Sequence, residues 1–96
     1  MRRTQPIRVG DLLKTVVENN PKLSRMFLEA RVVEAWKNLD PLIAAQTTRA
    51  NVVQGKLNVW IANAALRHEI FMRRTELIRR INEAVGQAVI TAIYVK

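Results

Sequence analysis

Apolar residues in the N-terminal part of the chain recur every three to four positions, which predicts two consecutive helices. The first covers residues 9–17 and ends before Pro21, because a proline disfavours a helical conformation in the residue that precedes it. The second has Asn20 as its cap and Pro21 at its first position. Its predicted buried side consists of Leu23, Met26, Phe27, Ala30, Val33 and Trp36. A short helix is expected to follow over residues 40–45.

The period then changes to two, which is typical of strands. Residues 47–53 and 56–61 flank a Gln54–Gly55 turn and predict a β-hairpin. A two-residue turn places Val53 opposite Lys56, Val52 opposite Leu57, Ala50 opposite Val59 and Arg49 opposite Trp60. The apolar face is expected to join the core, with Ala50, Val52, Leu57 and Val59. The opposite face carries Arg49, Asn51, Asn58 and Trp60.

Residues 62–85 return to helical periodicity. The predicted buried stripe contains Leu66, Ile70, Leu77, Ile81 and Ala84. Arg67 and Arg74 fall on or beside this stripe, which one straight buried helix would not tolerate. We therefore predict a break near Arg74–Thr75, with Thr75 capping a second helix that Gly86 ends.

A short closing strand is expected over residues 89–95. The order of elements is then helix, helix, strand, strand, helix, helix, strand, which predicts an α+β fold with a three-stranded sheet. The 96 residues suit a single domain, 1–96, with residues 1–8 as a flexible basic arm.

Composition narrows the classes of function. The chain has no cysteine, which excludes disulfides, thiolate-held metals and thiol catalysis. No apolar run approaches the roughly eighteen residues that span a bilayer, and no signal peptide is recognised, so a cytoplasmic location and no membrane partner are expected. Sixteen basic residues against eight acidic ones give a net charge of +8, which indicates a polyanionic partner. The alternative is that the charge only maintains solubility.

Catalytic chemistry has few candidates. His68 is the one histidine, and it has no nearby residues with metal-ligand spacing. Glu69 and Glu76 stand four residues before Arg73 and Arg80, a spacing typical of ion pairs on a solvated helix face. No Gly-rich phosphate loop is present. We therefore expect no enzyme, no cofactor, no metal and no small-molecule substrate.

Nucleic-acid contact is better supported. The candidate binding residues are Arg2, Arg3, Arg8, Arg49, Trp60, Arg67, Arg73, Arg74, Arg79 and Arg80. Arg67 and Arg74 lack an acidic residue at helical spacing, so they are expected to matter more than Arg73 and Arg80. Trp60 has two interpretations: a stacking platform on an open sheet face, or core covered by the N-terminal helices. Trp36 is expected in the core.

Several runs resemble the DciA-like family of bacterial proteins. They are residues 33–36, 42–47, 55–59, 77–86 and 89–95, with an opening Gly-Asp-Leu-Leu at 10–13. The resemblance implies a KH-like domain of the type II order that contacts DNA and engages the replicative DnaB-type helicase. Residues 72–75 read Met-Arg-Arg-Thr where a KH domain has Gly-x-x-Gly, so the backbone clamp does not carry over. The resemblance also implies a long tail in many members of the family.

The resemblance leaves three functions to compare. The leading hypothesis is a non-enzymatic DNA-binding accessory of the replicative helicase with little sequence selectivity. The second is a KH-like RNA-binding module linked to ribosomes or RNA processing. The third is a protein adaptor that does not bind nucleic acid.

Overall fold

The computed structural model describes residues 19–96. Its elements are α1 (Pro21–Leu39), α2 (Pro41–Gln46), β1 (Thr47–Val53), β2 (Lys56–Ile61), α3 (Ala64–Met72), α4 (Arg74–Val85) and β3 (Ala92–Val95). The sheet order is β1-β2-β3, with β1 antiparallel and β3 parallel to β2. This confirms the predicted α+β class and three-stranded sheet. The predicted helix at 9–17 and the basic arm at 1–8 lie outside the described residues.

The hairpin follows the predicted register, with Val53 opposite Lys56 and Arg49 opposite Trp60. The turn residues Gln54 and Gly55 have φ angles of 49° and 77°, both in the left-handed region that a tight hairpin turn requires. One irregularity lies at the start of β1, where Thr48 is an extra residue between two paired positions. Its hydroxyl donates to the Trp60 carbonyl at 3.2 Å, so the bulge is tied to β2.

The buried face of α1 differs from the prediction. Leu23 and Met26 are 40% and 54% exposed, and Ala30 is exposed as well. Val32 and Trp36 are fully buried instead, with Leu28, Ala35 and Leu39 packed against the same core. The helix carries two apolar stripes, and the stripe with Val32 and Trp36 faces the core. Trp36 Nε1 also donates to Thr47 Oγ1 at 3.1 Å. The prediction of Trp36 as core is confirmed.

The long helical segment breaks at Arg73, close to the predicted place. The Arg73 N–H still bonds the Glu69 carbonyl at 3.0 Å, and α4 begins at the next residue. The prediction that Thr75 caps the second helix is therefore wrong. Thr75 lies inside α4, and Arg73 occupies the cap position without a side-chain hydrogen bond. At the other end, Asn63 caps α3 by accepting from the Leu66 N–H at 2.9 Å, so this helix begins at Ala64 and not at Ala62.

Helix α4 contributes Leu77, Ile81 and Val85 to the core, whereas Ala84, predicted in the stripe, is exposed. The side chain of Asn82 on this helix holds the segment that leads into β3. Its Oδ1 accepts from the N–H groups of Val89 and Ile90 at 3.0 Å, and its Nδ2 donates to the Ile90 carbonyl at 2.9 Å. These bonds occupy the backbone at 89–90, so β3 begins at Ala92 and not at Val89.

No helix of the described residues is both long and apolar enough to cross a membrane.

Candidate nucleic-acid interface

The three strands place alternate side chains on the face of the sheet that points away from the core. On β2 the fully buried residues Leu57, Val59 and Ile61 alternate with less buried ones. Pairing across the strands assigns the other face nine positions: Arg49, Asn51, Val53, Lys56, Asn58, Trp60, Ala92, Tyr94 and Lys96. We call this set the open sheet face. None of these nine positions is part of the hydrophobic core cluster.

Trp60 lies at one end of the open sheet face between two cations. The Arg49 guanidinium carbon is 4.8 Å from the centre of the ring and Lys96 Nζ is 5.3 Å from it. Both distances suit a cation–π contact. Trp60 is half-buried, and these cations lie over its ring. Among residues 19–96, Trp60 is thus on an uncovered face with its ring held by charged side chains.

Tyr94 is the second aromatic residue of the face. It lies beside Asn58 on the neighbouring strand, one row from Trp60, and is 47% exposed. The strand spacing and the rise per residue put the two aromatic Cα atoms about 8 Å apart on the diagonal. In the same row, Asn58 Nδ2 donates to Asn51 Oδ1 at 3.2 Å, which orients both amides across the strands.

The charge of the open sheet face is entirely positive. Its described positions include three cations, Arg49, Lys56 and Lys96, and no aspartate or glutamate. Every one of the three is exposed. A polyanion that lies on this face would therefore meet cations and aromatic rings without a carboxylate to repel it.

The arginines of α3 and α4 divide into two groups. Arg73 contacts Glu69 at 3.4 Å and Glu76 at 3.5 Å, and Arg80 contacts Glu76 at 3.8 Å, which confirms the two predicted pairs. Sequence reasoning missed two further pairs: Arg73 with Glu76, three residues away, and Arg79 with Glu83 at 3.0 Å, four residues away. These three arginines carry charge that a neighbouring carboxylate offsets.

Arg67 and Arg74 have no carboxylate partner in the described part of the chain, as their spacing predicted. Their guanidinium groups bond backbone carbonyls instead. Arg67 NH1 donates to Ile61 at 2.6 Å and to Ala62 at 3.0 Å, which ties α3 to the end of β2. Arg74 NH1 donates to Phe71 at 2.8 Å and its guanidinium carbon lies 4.2 Å from the Phe71 ring centre.

The predicted site residues therefore fall in three places. Arg49 and Trp60 are together on the open sheet face, Arg67 and Arg74 flank a cleft beside β3, and Arg73, Arg79 and Arg80 are ion-paired on the helices. Arg2, Arg3 and Arg8 lie outside the described residues. The sequence analysis missed Tyr94 and Lys96, because placing β3 beside β2 requires the parallel register, which no local pattern provides. It also missed Lys56, although the hairpin register alone puts this residue on the same face as Asn58 and Trp60.

No group of three or more His, Cys, Asp or Glu residues within 19–96 could hold a metal ion. The family model described as "Dna[CI] antecedent, DciA" matches residues 8–95. The chain belongs to this family. DciA proteins are non-enzymatic helicase loaders of DNA replication, and the family is linked to the replicative helicase DnaB. None of the curated proteins matches the sequence.

At the α3–α4 junction, where a KH domain has its glycine loop, this DciA protein has Met72, Arg73, Arg74 and Thr75. The Arg73 N–H continues the backbone bonds of α3, and α4 begins at the next residue, so no loop separates the two helices. The KH-like assignment stays a prediction. The open sheet face, with its three cations and two aromatic rings, is the candidate interface.

Proposed function

We propose that this DciA protein binds single-stranded DNA on its open sheet face while it assists the replicative helicase. One observation carries the proposal: two aromatic rings and three cations share a face whose described positions contain no carboxylate. Single-stranded DNA is bound by this combination, since rings stack on bases and cations contact phosphates. Family membership supports the replicative helicase as the partner in this proposal.

Trp60 and Tyr94 would act as the stacking platform. Stacking on an aromatic ring tolerates every base, so the protein should show little sequence selectivity. Arg49 is placed to serve twice, because its guanidinium lies over the Trp60 ring and presents donors that fit phosphate oxygens. Asn51 and Asn58 bond each other and fix the polar surface between the rings.

The helical arginines have a secondary part in this proposal. Arg73, Arg79 and Arg80 are partly neutralised by glutamates, so they add only long-range attraction. Arg67 and Arg74 lie off the open sheet face. The sequence analysis expected Arg67 and Arg74 to contribute most to binding. In this proposal Arg49 and Lys96 contribute most.

Fluorescence anisotropy with a labelled oligo-dT of twelve nucleotides tests whether the protein binds single-stranded DNA. Three face cations predict a slope of about −2 for log affinity against log salt, from about −0.7 per phosphate contacted on a single strand. Arg49→Gln should weaken binding and make the slope less steep by about 0.7. Arg79→Gln is the matched control, because it removes the same charge from an exposed position outside the face. Equal losses from both variants would contradict a defined site.

Trp60→Leu separates stacking from charge. This change keeps an apolar side chain under Arg49 but removes the ring, so it should cost about 1–3 kcal/mol of oligo-dT binding while the salt slope stays constant. Unchanged affinity would remove Trp60 from the interface. An oligo-U strand measured in parallel distinguishes the RNA alternative, which requires clearly tighter binding to RNA than to DNA.

A capture experiment tests the helicase part. The tagged protein should retain the replicative helicase from a bacterial lysate treated with nuclease. Retention of ribosomes in its place would favour the RNA-binding module. Loss of the helicase after nuclease treatment would mean that nucleic acid alone joins the two proteins.

A further inference from the structure

The outer edge of β3 is an unpaired strand edge. Lys96 bonds β2 through both its backbone groups: its N–H donates to Val59 at 2.8 Å and its carbonyl accepts from Ile61 at 3.0 Å. In a parallel ladder only alternate residues face the neighbouring strand, so Ile93 and Val95 direct their N–H and C=O groups outward. Within residues 19–96 these outward groups bond no other element.

This edge opens into a cleft of about 790 Å³ between β3 and the helices α3 and α4. Its helical wall consists of Arg67, His68, Phe71, Arg74, Thr75 and Ile78. The wall combines apolar surface, including Phe71 at 52% exposed, with arginine side chains. Lys96 adds a further cationic side chain on the strand side, and the lining contains no aspartate or glutamate. The volume falls within the range of about 300–1,000 Å³ that is usual for binding pockets.

We propose that this cleft binds an extended peptide of a partner protein, rich in alternating apolar and acidic residues, which adds to β3 as a fourth strand. Strand addition satisfies the outward N–H and C=O groups of Ile93 and Val95 together. The side chains of a strand alternate between two sides. Those that face the helices meet Phe71 and Ile78, and those that face the other way pass Tyr94 and Lys96. The acidic residues complement the cations of the cleft.

Two other occupants fit this edge less well. A nucleic-acid backbone offers phosphate acceptors, which could accept from the two outward N–H groups but leave the two carbonyls without donors. A second copy of the chain would bring another cationic cleft, with Arg74 and Lys96, against the first in a protein of net charge +8. An acidic peptide has neither fault. This site is separate from the open sheet face and shares with it only Ala92, Tyr94 and Lys96 of β3.

The test uses the full chain labelled with ¹⁵N and a synthetic eight-residue peptide of alternating valine and glutamate. Titration should shift the amide resonances of Ile93 and Val95 and slow their hydrogen exchange. With nine-tenths of the protein occupied, exchange should slow about tenfold, since only the free fraction exchanges. Two further peptides are N-methylated at every valine or at every glutamate, and one of the two should bind at least about tenfold more weakly, because it lacks the donors that pair with the edge.

Charge dependence is tested with matched variants. Arg74→Gln should weaken peptide binding by roughly five- to tenfold, whereas Arg79→Gln, which changes an exposed arginine outside the cleft, should leave it unchanged. A peptide with lysine in place of glutamate should not bind. Circular dichroism of each variant verifies that the fold is intact before binding is compared.

Several results would overturn the proposal. Peptide binding that shifts neither Ile93 nor Val95, or that N-methylation leaves unchanged, means that no strand is added. Equal effects of Arg74→Gln and Arg79→Gln mean that the cleft has no specific part. Oligo-dT that protects the Ile93 and Val95 amides, where the peptide does not, assigns the cleft to nucleic acid. The same titration shows whether oligo-dT shifts Trp60 and Asn58, so failure of this proposal is distinguished from failure of DNA binding on the open sheet face.

Discussion

Replacing Asn82 with alanine should destabilise the protein more than any other change of a half-buried polar side chain described above. The side chain makes three hydrogen bonds to the backbone of Val89 and Ile90, at 2.9–3.0 Å. Each such bond contributes about 0.5–1.5 kcal/mol, and partners left without a replacement add to the loss. We expect Asn82→Ala to lower the free energy of unfolding by about 2–4 kcal/mol. For a domain of this size, that corresponds to a fall in Tm of roughly 10–25 °C.

Asn82→Asp separates the two halves of this interaction. The carboxylate retains acceptors for the two N–H groups but loses the donor to the Ile90 carbonyl, so its effect should be smaller than that of alanine. Asn38→Ala is the control, because Asn38 is exposed and bonds only Glu34, at 3.4 Å. Its effect should stay within about 0.5 kcal/mol.

Urea denaturation followed by the emission of the buried Trp36 measures these differences. Hydrogen exchange adds a local readout, because the Lys96 amide bonds Val59 and should lose protection when β3 is released. If the free energy of unfolding of Asn82→Ala lies within about 0.5 kcal/mol of the wild-type value, packing and not Asn82 holds the segment before β3. That result would refute the prediction.

Three other changes test separate structural statements, each by urea denaturation. Arg67→Gln should cost about 1–2 kcal/mol, because its guanidinium bonds two carbonyls at the end of β2; no loss would make Arg67 a free surface charge. Trp36→Phe should cost about 1–3 kcal/mol through the lost bond to Thr47 and the space left behind; a neutral result would contradict its anchoring role. Gly86→Ala should cost about 1 kcal/mol, since its φ of 98° is unfavourable for alanine although the site has room; a stabilised variant would contradict this backbone geometry.

The hairpin could be predicted from the sequence because its information is local. A two-residue turn determines the pairing of the flanking strands, and alternation then assigns Trp60 and Leu57 to opposite faces. The same local logic located the ion pairs of Arg73 and Arg80, whose partners stand four residues away.

The rotation of α1 could not be predicted in this way. This helix carries two apolar stripes, and the choice depends on packing against elements distant in the chain, such as the contact of Trp36 with Thr47, eleven residues away. The start of β3 was misplaced for a similar reason, because the side chain of Asn82 holds residues 89 and 90 outside the sheet. Both errors arose where a contact between residues distant in the chain decides between two conformations that the local sequence allows equally.

Only part of the candidate site could be predicted from the sequence, for the same physical reason. Arg49 and Trp60 are neighbours within the hairpin, so their juxtaposition follows from the register alone. Tyr94 and Lys96 join them only through the parallel pairing of β3 with β2, whose partners lie 36 residues apart along the chain at Asn58 and Tyr94.

The last strand therefore determines both proposed interactions. One side of β3 gives Tyr94 and Lys96 to the open sheet face, and its outer edge offers Ile93 and Val95 to the cleft. Lys96 borders both, so DNA and an acidic peptide would draw on the same positive charge. By linkage, if bound DNA lowers the affinity for the peptide, the bound peptide must lower the affinity for DNA by the same factor. If both proposals hold, the four residues of β3, held through Asn82, would make the DNA strand and the acidic peptide compete at Lys96.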